Sequence, residues 1–398
     1  MSLFDASISQ AGVALNDAQR AAVEHPGGPL LVIAGAGSGK TRVLTARVDR
    51  LITLGVAPRR ILAFTFTNRA AREMKERIAR AAGAEAAAVW VGTFHATGAR
   101  ILRREAARLA VLKPGFARDF TIYDRQDQEG LVGEVLKALE LPEGAYRVGD
   151  VLRRISDSKN ALVSPAEAMA AAVTPFEQQI ARAFEAYQNG LRARGAFDFD
   201  DLIVETVRLL RDDPVTTERY RALFEHVLVD EYQDTNHAQF RLVEALAAGH
   251  GNLFVVGDDD QSIYGWRGAD LANVLEFDRA FPGAAVVRLE QNYRSTGNIL
   301  RAANTVIANN RSRRGKTLWC DREAGTPLRF ALLRDEADEA RWVADAVIER
   351  VRRGRPLTEL AVLYRTNAQS RALETELAMR GVHYEIVGGV AFYQRREV

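Results

Sequence analysis

The sequence predicts an α/β protein: a parallel β-sheet covered by helices, broken by an inserted helical subdomain and followed by a second α/β unit. Three observations carry that reading. Short β-branched runs alternate with longer amphipathic stretches at Leu30–Ala34, Ile61–Thr65, Val89–Thr93, Val227–Asp230, Leu253–Gly257 and Val286–Leu289, the pattern of strands joined by helical crossovers. Between residues 111 and 195 the strand signal vanishes, and helix formers punctuated by Pro114, Pro142, Pro165 and Pro175 take over. Shorter strand-like runs return at Leu328–Leu333, Leu360–Tyr364 and Tyr384–Val387. The expected organisation is a first sheet domain from residues 1–110 and 196–290, a helical subdomain over 111–195, and a second sheet domain beginning at 291 and running to 398.

A chain of 398 residues, 47% hydrophobic and 27% charged, has the composition of a globular protein with about two to three domains. The net charge of +2 says little about partners. Local charge says more: Arg59–Arg80 and Phe94–Arg118 are each net +5, either tracks for a phosphate backbone or the solvated faces of Arg-rich helices. Cys320 is the single cysteine, so internal disulfides and cysteine metal sites are excluded, which fits a reducing compartment. No apolar run reaches membrane-spanning length and the N-terminus lacks a signal-peptide pattern, so a cytoplasmic protein with no membrane partner is expected.

The first strand runs straight into chemistry. Leu30 to Thr41 reads Leu-Leu-Val-Ile-Ala-Gly-Ala-Gly-Ser-Gly-Lys-Thr, a buried strand, a glycine-rich turn and the Gly39-Lys40-Thr41 ending of a phosphate-binding loop. Glycines let successive N–H groups turn toward a polyphosphate, a helix N-terminus adds its positive dipole end, Lys40 reaches the terminal phosphates and Thr41 ligates Mg²⁺. Ala34 stands where the general pattern has its first Gly. Only six of 54 basic residues are Lys, so Lys40 goes against the composition of the chain.

His226-Val227-Leu228-Val229-Asp230-Glu231 is a strand ending in adjacent carboxylates, suited to holding Mg²⁺ (Asp230) and to activating the attacking water (Glu231). The distance from Thr41 to Asp230 is what an inserted subdomain would produce. Val255 to Gln261 repeats the pattern of a strand with an acidic, amide-bearing end, and Gln261 is placed to sense a γ-phosphate or its water. Tyr264, Trp266 and Arg267 follow among glycines; the rings suit stacking of extruded bases, with burial in the core as the competing reading.

This constellation resembles the UvrD/PcrA/Rep family of superfamily 1 DNA helicases, over nearly the whole chain. The resemblance implies two RecA-like P-loop domains, the second incomplete. Leu15-Asn16-Asp17-Ala18-Gln19 is similar to the family's adenine-reading segment, with Gln19 on the base. Ala34, Gly35, Ala36, Gly37, Ser38, Gly39, Lys40 and Thr41, followed by Arg42, are similar to its P-loop, including the alanine at its start. Thr65-Phe66-Thr67-Asn68 and Gly92-Thr93-Phe94-His95 resemble its single-strand contacts, which implicates Phe66, Thr67, Thr93 and His95. Phe197-Asp198-Phe199-Asp200-Asp201-Leu202 resembles the segment re-entering the first domain. Gly257 to Gly268 is similar to the motif coupling γ-phosphate to DNA, with Gln261 toward nucleotide and Tyr264, Trp266 and Arg267 toward the strand. In Gln291-Asn292-Tyr293-Arg294-Ser295 the resemblance implies Tyr293 stacked on adenine and Arg294 as an arginine finger. Tyr364 to Arg371 is similar to a later DNA-proximal motif, which implicates Asn367 and Arg371.

The implied activity is a DNA-stimulated ATPase moving 3′→5′ on single-stranded DNA and acting at single-strand/duplex junctions in repair or replication, with ATP and Mg²⁺. Two later motifs and a second finger arginine of the family are not found before Val398, so the chain is expected to be an amino-terminal portion, its remainder supplied in the same or a separate polypeptide. The ending Gly388 to Tyr393 falls about where such proteins leave the second domain. Competing readings are the motor subunit of a helicase-nuclease, a non-catalytic ATP-dependent clamp and a small-molecule P-loop kinase. Intact Glu231, Gln261 and Arg294 weigh against the clamp.

Overall fold

The computed structural model describes residues 14–112, 119–142 and 144–387, except the side chain of Arg267. They divide into two compact units, one from Leu15 to Gly325 and one made of Ala14 and the described residues from Thr326 onward.

The first unit is built on a six-stranded sheet of β1 (Leu30–Ala34), β2 (Ile61–Thr65), β3 (Trp90–Thr93), β6 (His226–Val229), β7 (Leu253–Gly257) and β8 (Ala285–Leu289). Its order is β3-β2-β6-β7-β1-β8 and every pairing is parallel. All six early strand-like runs therefore lie in one sheet. β1 is an interior strand next to the β8 edge, with Leu31 opposite Val255 on one side and Val286 on the other. Both sheet faces are covered. Leu31, Ile33, Leu62 and Phe64 pack with helices Phe94–Arg104, Phe199–Asp212 and His237–Ala247, while Leu30, Val32, Ile61 and Ala63 pack with Asp17–Val23, Lys40–Thr53 and Asn68–Ala82. Burial on both faces is why these strands read as unbroken apolar runs instead of alternating ones.

Short strands β4 (Thr121–Ile122) and β5 (Ala196–Phe197) pair in parallel and bracket the helices Arg125–Ala138, Val148–Asn160, Pro165–Ala171 and Pro175–Ala193. That group has its own core of Leu131, Val135, Leu152, Ile155, Phe184 and Tyr187. Pro165 and Pro175 act as starts more than breaks. Each opens a helix behind a capping box, Ser164 with Glu167 and Thr174 with Glu177. Pro114 lies outside the described residues.

The described part of the second unit packs helix Glu336–Arg352 with helix Ser370–Met379, burying Ala340, Ala344 and Leu377. The strand-like runs Leu328–Leu333, Leu360–Tyr364 and Tyr384–Val387 form no paired strand among the described residues. Phe330, Leu332 and Leu363 are instead strongly exposed. Strand propensity measures the fit to a pleated neighbour, so a strand-like run without one keeps the pattern and loses the structure. Gly388 to Tyr393 lies outside the described residues.

Candidate nucleotide-binding site

The glycine-rich turn sits where β1 meets helix Lys40–Thr53. Gly39 caps that helix in a left-handed conformation with no side-chain cap, so the first N–H groups of the helix remain directed at the turn. Ser38 Oγ donates to Gly35 O at 2.7 Å, closing the loop on itself. Gln19, fully buried, donates from Nε2 to Ser38 O at 2.9 Å, and its Oε1 accepts from Asn16 N at 3.2 Å. Its amide thus braces the loop. A Cβ at Gly39 would lie 2.9 Å from that Nε2, so the close approach requires glycine. Thr41 and Arg42 stand half-buried in the first helical turn, and Ala34 closes β1, wholly buried.

β6 ends at Val229, and Asp230 N still donates to Phe64 O, extending the ladder by one residue. Glu231 then turns left-handed, φ 48°, ψ 46°, a strained conformation for a residue with a side chain. The turn aims its carboxylate at the loop: Lys40 Nζ lies 2.9 Å from Glu231 Oε2. Gln233 Nε2 donates to the same oxygen at 2.9 Å while its Oε1 accepts from Asp258 N at 2.9 Å, joining the ends of β6 and β7. Burial, and then the charge of Glu231, push Asp230 up to about 7, with Lys40 opposing. The same two causes bring Asp234 up to about 6. Gln261 follows β7, exposed, and donates to the Asp258 carboxylate.

Residues 291–295 close the site from the far side of β1. Asn292 Nδ2 donates to Ala36 O at 2.6 Å and Tyr293 N to Gly37 O at 2.9 Å. Gly37, at φ +72°, has no room for a Cβ, which would meet Asn292 Nδ2 at 2.7 Å and Arg294 Cβ at 2.8 Å. Asn16 Nδ2 donates to Tyr293 OH at 2.8 Å, and that hydroxyl donates to Gln291 Oε1 at 2.8 Å. Lys40, Glu231, Gln19, Tyr293 and Arg294 therefore gather around one loop, with Arg294 exposed. Asn16, Gln233 and Asn292 were missed as site residues. They make the connections, and their only signal was a polar side chain inside each motif.

The strand-facing candidates form a separate edge. Phe66 and Tyr264 rings lie 5.4 Å apart and Tyr264 and Trp266 rings 6.3 Å apart. Trp266 is 69% exposed, which removes it from the core. His95 sits 5.7 Å from the Phe199 ring, and burial lowers its pKa to about 4, so it is neutral. Thr67 and Thr93 have capping work: their hydroxyls accept from Ala70 N at 3.1 Å and Ala96 N at 3.2 Å. Arg100 lies 3.6 Å over the Trp90 ring and Arg103 5.1 Å over Phe120, so part of the second basic stretch is spent on rings. In the second unit, Asn367 and Arg371 are exposed at the start of helix Ser370–Met379.

Residues 15–282 match the profile of the UvrD/REP helicase N-terminal domain, and residues 287–398 match that of the UvrD-like helicase C-terminal domain. Among curated relatives, the ATP-dependent DNA helicase PcrA of Staphylococcus epidermidis strain ATCC 12228 is 46% identical over 385 residues, 96% of this chain and 52% of the relative. The protein of that name from Staphylococcus aureus strain NCTC 8325 is 45% identical over 385 residues, with the same coverage. The chain spans about half the length of the curated relatives it matches.

Proposed function

The chain belongs to the UvrD/REP helicase family, and from that premise we propose that it hydrolyses ATP to move along single-stranded DNA, 3′→5′, and to open duplex at junctions in repair or replication. The setting of that work would be the cytoplasm; no helix among the described residues is long and apolar enough to cross a membrane. The observation that carries the proposal is the left-handed Glu231, whose carboxylate lies 2.9 Å from the loop lysine Lys40. A base beside a phosphate-binding lysine is the arrangement that in-line attack of water on a γ-phosphate requires.

Each role follows from position. Lys40, paired with one carboxylate that is itself partly open to solvent, can exchange that partner for a phosphate oxygen. Glu231, so released, takes the proton of the attacking water. Gln261, at the end of β7, orients that water, and Arg294 stabilises charge on the transferred phosphoryl group. Asn16 and Tyr293 frame the base, with Gln19 bracing the loop beneath. The donor set also fits Mg²⁺. Asp230 is a buried carboxyl pushed up to about 7, a group short of positive charge, and Thr41 lies in the first turn of the neighbouring helix. When bound, the ion supplies charge neutralisation of the phosphates. Phe66, Tyr264 and Trp266 offer rings to successive bases, which grips any sequence. Thr67, Thr93 and His95 would serve the same track in the first unit, with Arg267 implicated by resemblance alone, and Asn367 and Arg371 are separate strand-contact candidates of the second unit.

The test is steady-state ATP hydrolysis with and without oligo(dT). Stimulation by the oligonucleotide supports the reading. Turnover that ignores DNA points to a small-molecule kinase, and tight ATP binding without turnover points to a clamp.

A further inference from the structure

Asp258, Asp259 and Asp260 are consecutive carboxylates at the carboxyl end of β7, and they converge on one ammonium. Lys316 Nζ lies 2.7 Å from Asp258 Oδ1 and 2.6 Å from Asp260 Oδ2, and it also contacts Asp259. The Lys316 side chain is 2% exposed and the three carboxylates are buried with it. An ammonium carries three donors in tetrahedral directions, whereas a guanidinium is a planar fork, so three convergent carboxylates call for lysine. Lysine is also the rare choice, one of six among 54 basic residues.

The residues beside Lys316 complete a clamp. Arg313 lies 2.7 Å from Asp260, and Arg314 N donates to Asp259 Oδ2 at 2.6 Å. Beyond it the chain is stitched to the segment that bears Tyr293 and Arg294. Thr317 N donates to Glu290 Oε1 at 2.9 Å, Trp319 N to Glu290 O at 3.1 Å and Asn292 N to Trp319 O at 2.7 Å. Lys316 is thus the joint between the loop carrying Gln261, Tyr264 and Trp266 and the segment carrying Arg294. Without its charge, three like carboxylates would be left buried together, and the loop would have to open to hydrate them.

We propose that Lys316 is a positioning residue that holds residues 258–266 in one conformation, so that strand binding at Tyr264 and Trp266 reaches Gln261 and Arg294 together. The coupling rests on the function proposed above; the clamp itself does not. The experiment compares the full chain with Lys316→Met, Lys316→Arg and the double variant Lys316→Met/Asp259→Asn. Amide hydrogen exchange over 258–266 and over the helix 40–53 is measured beside ATP hydrolysis with and without oligo(dT). Lys316→Met should raise exchange over 258–266 by about tenfold or more with 40–53 unchanged. It should cut the DNA-stimulated kcat by about tenfold while KM for ATP and the basal rate stay within about twofold. Lys316→Arg should share the defect, and the double variant should recover part of it. Wild-type exchange in Lys316→Met, or a rise spread evenly across residues 15–325, overturns the clamp. A normal stimulated kcat in a loosened loop overturns the coupling. Wild-type hydrolysis indifferent to oligo(dT) overturns the functional reading and the coupling with it, while exchange still decides the clamp.

Discussion

The tripeptide Gly-Lys-Thr occurs twice, at 39–41 and at 315–317, and the two copies do opposite work. Both glycines are left-handed, at φ +96° and +72°. Lys40 follows a buried strand, opens a helix and meets one carboxylate; its side chain is 12% exposed and that of Glu231 37%. Lys316 follows no strand, opens no helix and is sealed among three. The open pair is the one proposed to trade its partner for a phosphate; the closed one is held by three partners at once. Local sequence does not separate the lysine proposed as catalytic from the buried one, but their surroundings differ.

That contrast can be broken in steps. The largest effect is expected at the open site, where Arg294→Ala should lower kcat by ~10³–10⁵ without unfolding the chain, since the exposed guanidinium is proposed to support the transition state and holds no core. Hydrolysis assays alongside circular dichroism check both halves.

Next comes stability. Lys159 repeats the closed arrangement, 2.6 Å from Asp198 and 2.9 Å from Asp201. Burial alone would lower its pKa, but the two carboxylates outweigh it and hold the ammonium above its ordinary range. Burial and the charge of Asp198 meanwhile bring Asp201 up to about 7. Lys159→Met should therefore cost about 3–5 kcal/mol in urea unfolding, because it strands buried carboxylates. Lys40→Ala should cost only about 0–1 kcal/mol, as a single pair open to solvent on its Glu231 side does. Equal losses would erase the distinction.

At the strand-facing edge, Trp266→Ala should weaken oligo(dT) binding by about 1–3 kcal/mol and leave basal hydrolysis intact, while Trp266→Phe retains most affinity. Fluorescence anisotropy distinguishes them; a phenylalanine variant as weak as alanine would end the stacking account.

The smallest effect is a pH slope. Burial, then the charges of Arg47 and His250, lower the His226 pKa to about 4, below its unfolded value. The unfolded chain therefore binds the proton first, so stability should fall as pH drops from about 6.5 toward 4, and His226→Gln should flatten that decline.

The six strands, the loop and the paired carboxylates were legible because their signals are local: a two-faced apolar run, glycines beside Lys-Thr, a strand ending in Asp-Glu. The rest was set at a distance. Lys316 meets Asp258 across a long sequence separation, and nothing near residue 316 announces three carboxylates. Gln19 reads from its motif as a base contact, and what the motif does not announce is that its amide also bonds Ser38 O and Asn16 N. Leu328–Leu333 and Leu360–Tyr364 carry strand letters without a neighbouring strand among the described residues, and a ladder is a property of two segments.

The central claim is that Lys40–Glu231 is the open, catalytic pair. Glu231→Gln tests it most directly, because the amide keeps the shape and cannot accept the water's proton. ATP affinity should stay within about threefold of wild type while turnover falls by about 10²–10⁴. Near-normal hydrolysis by Glu231→Gln would contradict the account.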